Sequence, residues 1–103
     1  MQWEETTRFL VKILMDTERA NAAVKDGSIG PTIGGILEKQ KPEAVYHYEE
    51  NGVRAQLLVV NIDDASELPS IGEPWWQAFG GMVEFHPTMV PEDLEKAMKA
   101  MAD

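Results

Sequence analysis

Hydrophobic and polar positions along this chain switch several times between the period of a strand and that of a helix. From Arg8 to Met15 (RFLVKILM) nearly every position is apolar and rich in β-formers, which predicts a strand buried on both faces. Asp16-Thr17 then gives a cap signal for a helix through Glu18, Ala20, Ala22, Ala23 and Val24. After Lys25-Asp26-Gly27 the helical stripe resumes at Ile29, Ile33, Ile36 and Leu37. One long helical segment is therefore expected, kinked or interrupted between Gly27 and Pro31 and closed before Lys41-Pro42.

Ala44 to Glu50 (AVYHYEE) reads as a strand, Asn51-Gly52 as a hairpin turn, and Val53 to Ile62 (VRAQLLVVNI) as the returning strand. Asp63-Asp64-Ala65-Ser66 opens a second helix with Leu68, Ile71, Trp75 and Phe79 three or four apart, made irregular by Pro69 and Pro74. Gly80-Gly81 ends it and Met82 to His86 forms a fourth strand. Pro91-Glu92-Asp93 begins a last helix whose acids suit the positive end of the helix dipole. The order is βαββαβ plus a C-terminal helix, an α+β class. Residues 8–103 form one domain, and residues 1–7 an N-terminal extension. Right-handed crossovers place the first and third strands in the centre, giving a ferredoxin-like antiparallel sheet.

A turn at Asn51-Gly52 fixes the hairpin register: Glu50 opposite Val53, Tyr48 opposite Ala55, His47 opposite Gln56, Tyr46 opposite Leu57. Opposed residues share a face. Tyr46, Tyr48, Leu57 and Val59 are expected to meet the helices, with Val45, His47, Glu49, Arg54, Gln56, Leu58 and Val60 on the other side. The runs Leu57-Leu58-Val59-Val60 and Phe9-Leu10-Val11 are apolar without alternation, so both faces call for burial. Two main helices cover one face. A second copy packed sheet to sheet covers the other with one self-complementary patch, or else the last helix folds back over it.

Composition narrows the function. The net charge of −9 in 103 residues argues against nucleic acid and against an anionic membrane surface. With no cysteine there is no disulfide, thiolate nucleophile or Cys-based metal site. The start MQWEETTRFL carries acids where a signal peptide needs a basic flank, and no apolar run approaches the ~20 residues of a membrane helix, so a cytoplasmic location is expected.

The segments RFLVKI, KDGSIGPTIGGIL, KPEAVYHYEENGVR and EPWWQAFGGMVEFHPTMVPEDLEKA resemble a family of short uncharacterised bacterial proteins, over nearly the whole chain beyond Thr7. The resemblance implies a ferredoxin-like domain paired as a dimeric α/β barrel. Some relatives carry a pantothenate-synthetase-related label; such ligases use a paired-histidine nucleotide motif, whereas His47 and His86 here stand far apart on different strands. Against the family pattern, Val90 replaces the usual Thr before PEDL, removing a cap worth ~1 kcal/mol, and the tryptophan is doubled as Trp75-Trp76.

Strand alternation groups Lys12, His47, Gln56, Glu84 and His86 on the face away from the helices. Burial there would shift Glu84 upward and Lys12 or the histidines downward, toward acid/base use, with Lys12 and Gln56 holding a ligand. Equally, Lys12 and Glu84 on adjacent strands can simply pair while the histidines hydrogen-bond at a dimer seam. A metal set of His47, His86 and Glu84 fails within one monomer, because three strand spacings separate the edges by roughly 14 Å; no metal and no cofactor is expected. Gly27 to Gly35 lacks the GK[ST] ending of a phosphate loop. Of Trp75 and Trp76, one faces the core and the other points away, where it can line a ligand mouth. The first functional reading is a homodimeric small-molecule-binding or accessory protein. The alternatives are a small cofactor-independent enzyme of monooxygenase, isomerase or dehydratase type, using Glu84, His86 and His47, and a protein-interaction module acting through an acidic helical face.

Overall fold

The computed structural model of the chain describes residues 6–102; Met1 to Glu5 of the expected N-terminal extension lie outside them. Strand β1 (Thr7–Leu14) leads into α1 (Thr17–Asp26), where the Asp16 carboxylate accepts the Arg19 N–H at 3.0 Å. Gly27 ends α1 in the left-handed conformation at φ 81°, and the Asp26 carboxylate accepts the Ser28 N–H at 2.8 Å. The expected single helical segment is therefore two helices, with α2 spanning Ile29–Gln40. A left-handed residue cannot continue an α-helix, so the interruption is a full break.

Strands β2 (Ala44–Glu50) and β3 (Val53–Ile62) are joined at Asn51 and Gly52, whose φ values of 53° and 82° fit a primed two-residue turn. The hairpin register is the expected one throughout. Asp64 and Glu67 close a capping box over a 3₁₀ turn (Ala65–Glu67), and α3 (Leu68–Phe79) follows with Pro69 in its first turn and Pro74 inside. Strand β4 (Met82–Pro87) and helix α4 (Pro91–Ala102) complete the chain. Val90 offers no side-chain cap to α4. The Asp93 carboxylate accepts the Val90 N–H at 3.0 Å, the reciprocal half of such a box.

The four strands form one open antiparallel sheet in the order β2-β3-β1-β4, with β1 and β3 central. The chain is thus an α+β fold with its core on one face of the sheet. Val11, Ile13, Leu58, Val60 and Ile62 meet Ala20, Ile71, Trp75 and Phe79 there. Ile29, Ile33, Ile36 and Leu37 of α2 pack against that cluster from its side. This corrects the expected orientation. The helices cover the Val45, Gln56, Leu58 and Val60 side, while Tyr46 and Tyr48 stand exposed on the other. The reason lies in β1 and β4: Val11 pairs with both Leu58 and Phe85, and β4 sets Val83 and Phe85 on that side against Glu84, His86 and the exposed Met82 on the other.

Nor does α4 lie across the open face. None of its residues is buried, and Leu94, Met98 and Met101 remain 47%, 58% and 74% exposed. A helix packed over the sheet would hide that stripe. Among the described residues no helix is long and apolar enough to cross a membrane.

Candidate functional site on the open sheet face

Alternation along the strands sends Leu10, Lys12 and Leu14 of β1 to the side away from the helices. Beside them in register stand His86, Glu84 and Met82 on β4, and Val59, Leu57 and Ala55 on β3. Tyr46 and Tyr48 on β2 share this face through their pairing with Leu57 and Ala55, and Glu50 through Val53. The result is an apolar field with a polar line running across it.

That line centres on Lys12. Its Nζ donates to Glu50 Oε2 at 2.8 Å and lies 3.7 Å from Glu84 Oε1. Glu84 Oε1 in turn sits 3.0 Å from His86 Nε2, and the Tyr48 hydroxyl donates to Glu50 Oε1 at 2.9 Å. Five side chains from three strands therefore form one continuous network from β4 to the β2 edge. Between Lys12 and Glu50 stands Ala55, whose methyl group is fully buried beneath its larger neighbours. Its small side chain lets a lysine on a central strand reach a carboxylate on the edge strand.

The electrostatics follow from the geometry. The hydrogen bond to Glu50 raises the Lys12 ammonium above its usual pKa, against the opposing pull of its partial desolvation. Hydrogen bonds from Lys12 and then Tyr48 hold the Glu50 carboxyl below the ordinary carboxylate range. Desolvation, reinforced by the bond to Glu50, pushes the Tyr48 phenol up. Lys12, Glu50 and Glu84 set one ammonium against two carboxylates, so these three groups carry one uncompensated negative charge. A group bringing hydrogen-bond donors or positive charge fits them electrostatically.

Of the residues singled out from sequence, Lys12, Glu84 and His86 meet here. His47 and Gln56 do not. They pair with each other across β2 and β3 on the helix-facing side, where His47 is exposed and Gln56 is only 4% exposed. The set His47, His86 and Glu84 is thus split between two faces, and among the described residues no three His, Asp or Glu side chains are grouped to hold a metal. Trp75 is buried, donating from Nε1 to Gln40 Oε1 at 3.2 Å, with its ring 6.2 Å from that of Phe79. Trp76 is half-buried between Gly72 and Phe85: a Cβ on Gly72 would fall 2.7 Å from its ring. Both tryptophans belong to the helical side, and neither opens onto the network.

Sequence reasoning missed Glu50 and Tyr48, because it turned Tyr48 toward the helices and paired Lys12 with Glu84 alone. It also missed a second polar cluster at the far end of the face. There the Arg8 Nε donates to Glu43 Oε1 at 3.0 Å, Asn61 Nδ2 donates to the same oxygen at 3.0 Å, and Arg8 reaches Asp93 of α4 at 3.8 Å. The proximity of Glu43 to Arg8 depends on the register of β1 against β3, which no local signal encodes. Searches of protein-family models, of curated proteins and of solved structures found no match to this chain.

Proposed function

We propose that the chain is a homodimeric small-molecule-binding or accessory protein in which two ferredoxin-like sheets pack face to face as a dimeric α/β barrel, enclosing the Lys12 network. The observation that carries this reading is the composition of the open face: Leu10, Leu14, Leu57 and Val59 are partly exposed and flank a connected polar line, yet α1 to α4 all leave that face uncovered. Apolar residues on both faces of a central strand call for a layer on each side. An isologous contact supplies the missing layer with one patch. Two uncompensated carboxylate charges, one per copy, then face a shared interior. The ligand class that suits them is a small polar molecule rich in hydrogen-bond donors or carrying an amine.

Native mass spectrometry of the purified protein tests both halves of the reading. A dimer that retains a small cationic or donor-rich mass supports it; a stable monomer removes the shared interior and with it the site.

A second reading rests on the 3.0 Å contact between Glu84 and His86 beside Lys12. A carboxylate that orients an imidazole next to an ammonium is a proton-transfer arrangement, so a cofactor-independent acid/base enzyme is the alternative. Glu84→Gln separates the two: an enzyme loses turnover with its fold and dimer intact, whereas a binding protein loses only affinity.

A further inference from the structure

A second hollow lies away from the Lys12 network, on the opposite side of the sheet. Where α2 and α3 part over the end of β3, they leave a groove of about 720 Å³, within the range of small-molecule sites. Its lining is mixed: Val60, Ile62, Ile71, Ile36, Pro31 and Pro74 supply the apolar part, and polar side chains of α2, α3 and the 3₁₀ turn supply the rest.

Most of the polar groups along it are already committed within the chain. Gln40 joins the two helices, donating to the Ile71 carbonyl at 2.9 Å and accepting from Trp75. The Glu67 carboxylate accepts the Asp63 and Asp64 N–H groups, the Ser70 hydroxyl donates to the Glu67 carbonyl, and Asn61 is turned to Glu43. What remains is the charge of Lys39 and Lys41 at the end of α2. Both line the groove, and neither forms an ion pair among the described residues. In a chain of net charge −9, two lysines against the single Glu67 carboxylate leave this partly apolar groove with a net positive lining, which favours a negative group with an apolar tail.

Gly35 adds a steric observation. It lines the same groove, and a Cβ built on it meets no atom within 4 Å. Packing inside the chain therefore does not require glycine there, although glycine in a helix costs about 1 kcal/mol relative to alanine. Its absent side chain leaves the trough open.

We propose that this groove binds a small amphipathic monoanion, its carboxylate at Lys39 and Lys41 and its apolar body against Ile36, Ile62 and Ile71. The site is separate from the open sheet face and stands whether or not the chain dimerises. The test is an amide NMR titration at 0.15 M salt (about 8 Å of screening length) with sodium decanoate and, in parallel, with decanol. Decanoate is expected to give saturable shifts at Gly35, Lys39, Lys41 and Ser70, and to bind about five- to tenfold more tightly than decanol through two partly exposed charge contacts. The double variant Lys39→Gln/Lys41→Gln is expected to abolish that preference. Gly35→Leu, which fills the trough from a position with free space, is expected to block binding with thermal stability unchanged or raised. Equal affinity for decanol, shifts located on the open sheet face, or undiminished binding in Gly35→Leu would overturn the proposal, as would the absence of any saturable shift.

Discussion

Lys12 Nζ donates to Glu50 Oε2 at 2.8 Å, although one residue belongs to a central strand and the other to the edge strand beyond its neighbour. The pair ties β1 to β2 across β3, and its protonation behaviour gives it a defined pH window. Glu50 titrates below the ordinary range in the fold, so its contribution is fully present above the unfolded value of about 4.3 and is lost as pH falls through the lower folded value. Lys12 and Tyr48 are both raised, so theirs are present below about 10 and lost as pH rises through their folded values. The thermal midpoint is expected to form a plateau between about pH 5 and 10 and to fall on either side. Lys12→Met removes the main cause of the Glu50 shift, so its acid limb should be shallower than that of the wild type. Melting curves from pH 3 to about 12 check this; parallel acid limbs in the two proteins would contradict it.

The proposed sheet-to-sheet seam is tested at Leu57, which stands opposite both Lys12 and Tyr46 at the centre of the open face. Leu57→Arg places a second cation beside Lys12 and an unpaired charge within any sheet-to-sheet contact. An uncompensated buried charge costs about 3 kcal/mol or more, so association should weaken on the order of 100-fold. Light scattering after size exclusion should then report a monomer with an unchanged far-ultraviolet spectrum. A variant that stays dimeric at the same concentration places the seam elsewhere.

Two glycines are expected to respond in opposite directions. A Cβ on Gly81 would fall 1.6 Å from the Leu14 carbonyl oxygen, where β4 begins beside the end of β1. Backbone cannot move aside as a flexible side chain can, so Gly81→Ala is expected to lose about 3 kcal/mol or more. Gly34, inside α2, has open space around an added Cβ, and Gly34→Ala should gain about 0.5–1 kcal/mol through helix propensity and a less free unfolded chain. Urea unfolding of both variants checks the sign of each change.

These positions also show what the sequence could and could not reveal. Element order and the hairpin register were legible because Asn51-Gly52, Gly80-Gly81 and the switch between two hydrophobic periods are local signals. The facing of the hairpin was not. Leu57 and Leu58 are equally apolar, so β3 carries no vote, and β2 offers two tyrosines on one side against Val45 and His47 on the other. The decision rests with β4, where Val83 and Phe85 oppose Glu84 and His86, and it reaches β2 only through the pairing of Val11 with both Phe85 and Leu58. Long connections join those strands, and no turn fixes their register. Half of the candidate site, Lys12 with Glu84 and His86, followed from β1 and β4 alone. Its other half, Glu50 and Tyr48, required that nonlocal register.

Gln56 is where the inverted face has an energetic consequence. It was expected to hold ligand on the open side, but it lies beneath the helical layer at 4% exposure, and its Oε1 meets no donor among the described residues. A buried acceptor without a partner costs about 1–3 kcal/mol, whereas an apolar side chain of similar length carries no such penalty. Gln56→Met keeps the volume and the unbranched shape while removing the orphan oxygen. It is therefore expected to raise unfolding stability by about 1 kcal/mol, read from the urea midpoint at unchanged slope. Its position also keeps it away from Lys12, Glu84 and His86, so ligand retention at the open face should be unaffected. A loss of stability instead would mean that Oε1 has a donor in solution, such as a buried water; a loss of ligand would return Gln56 to the site.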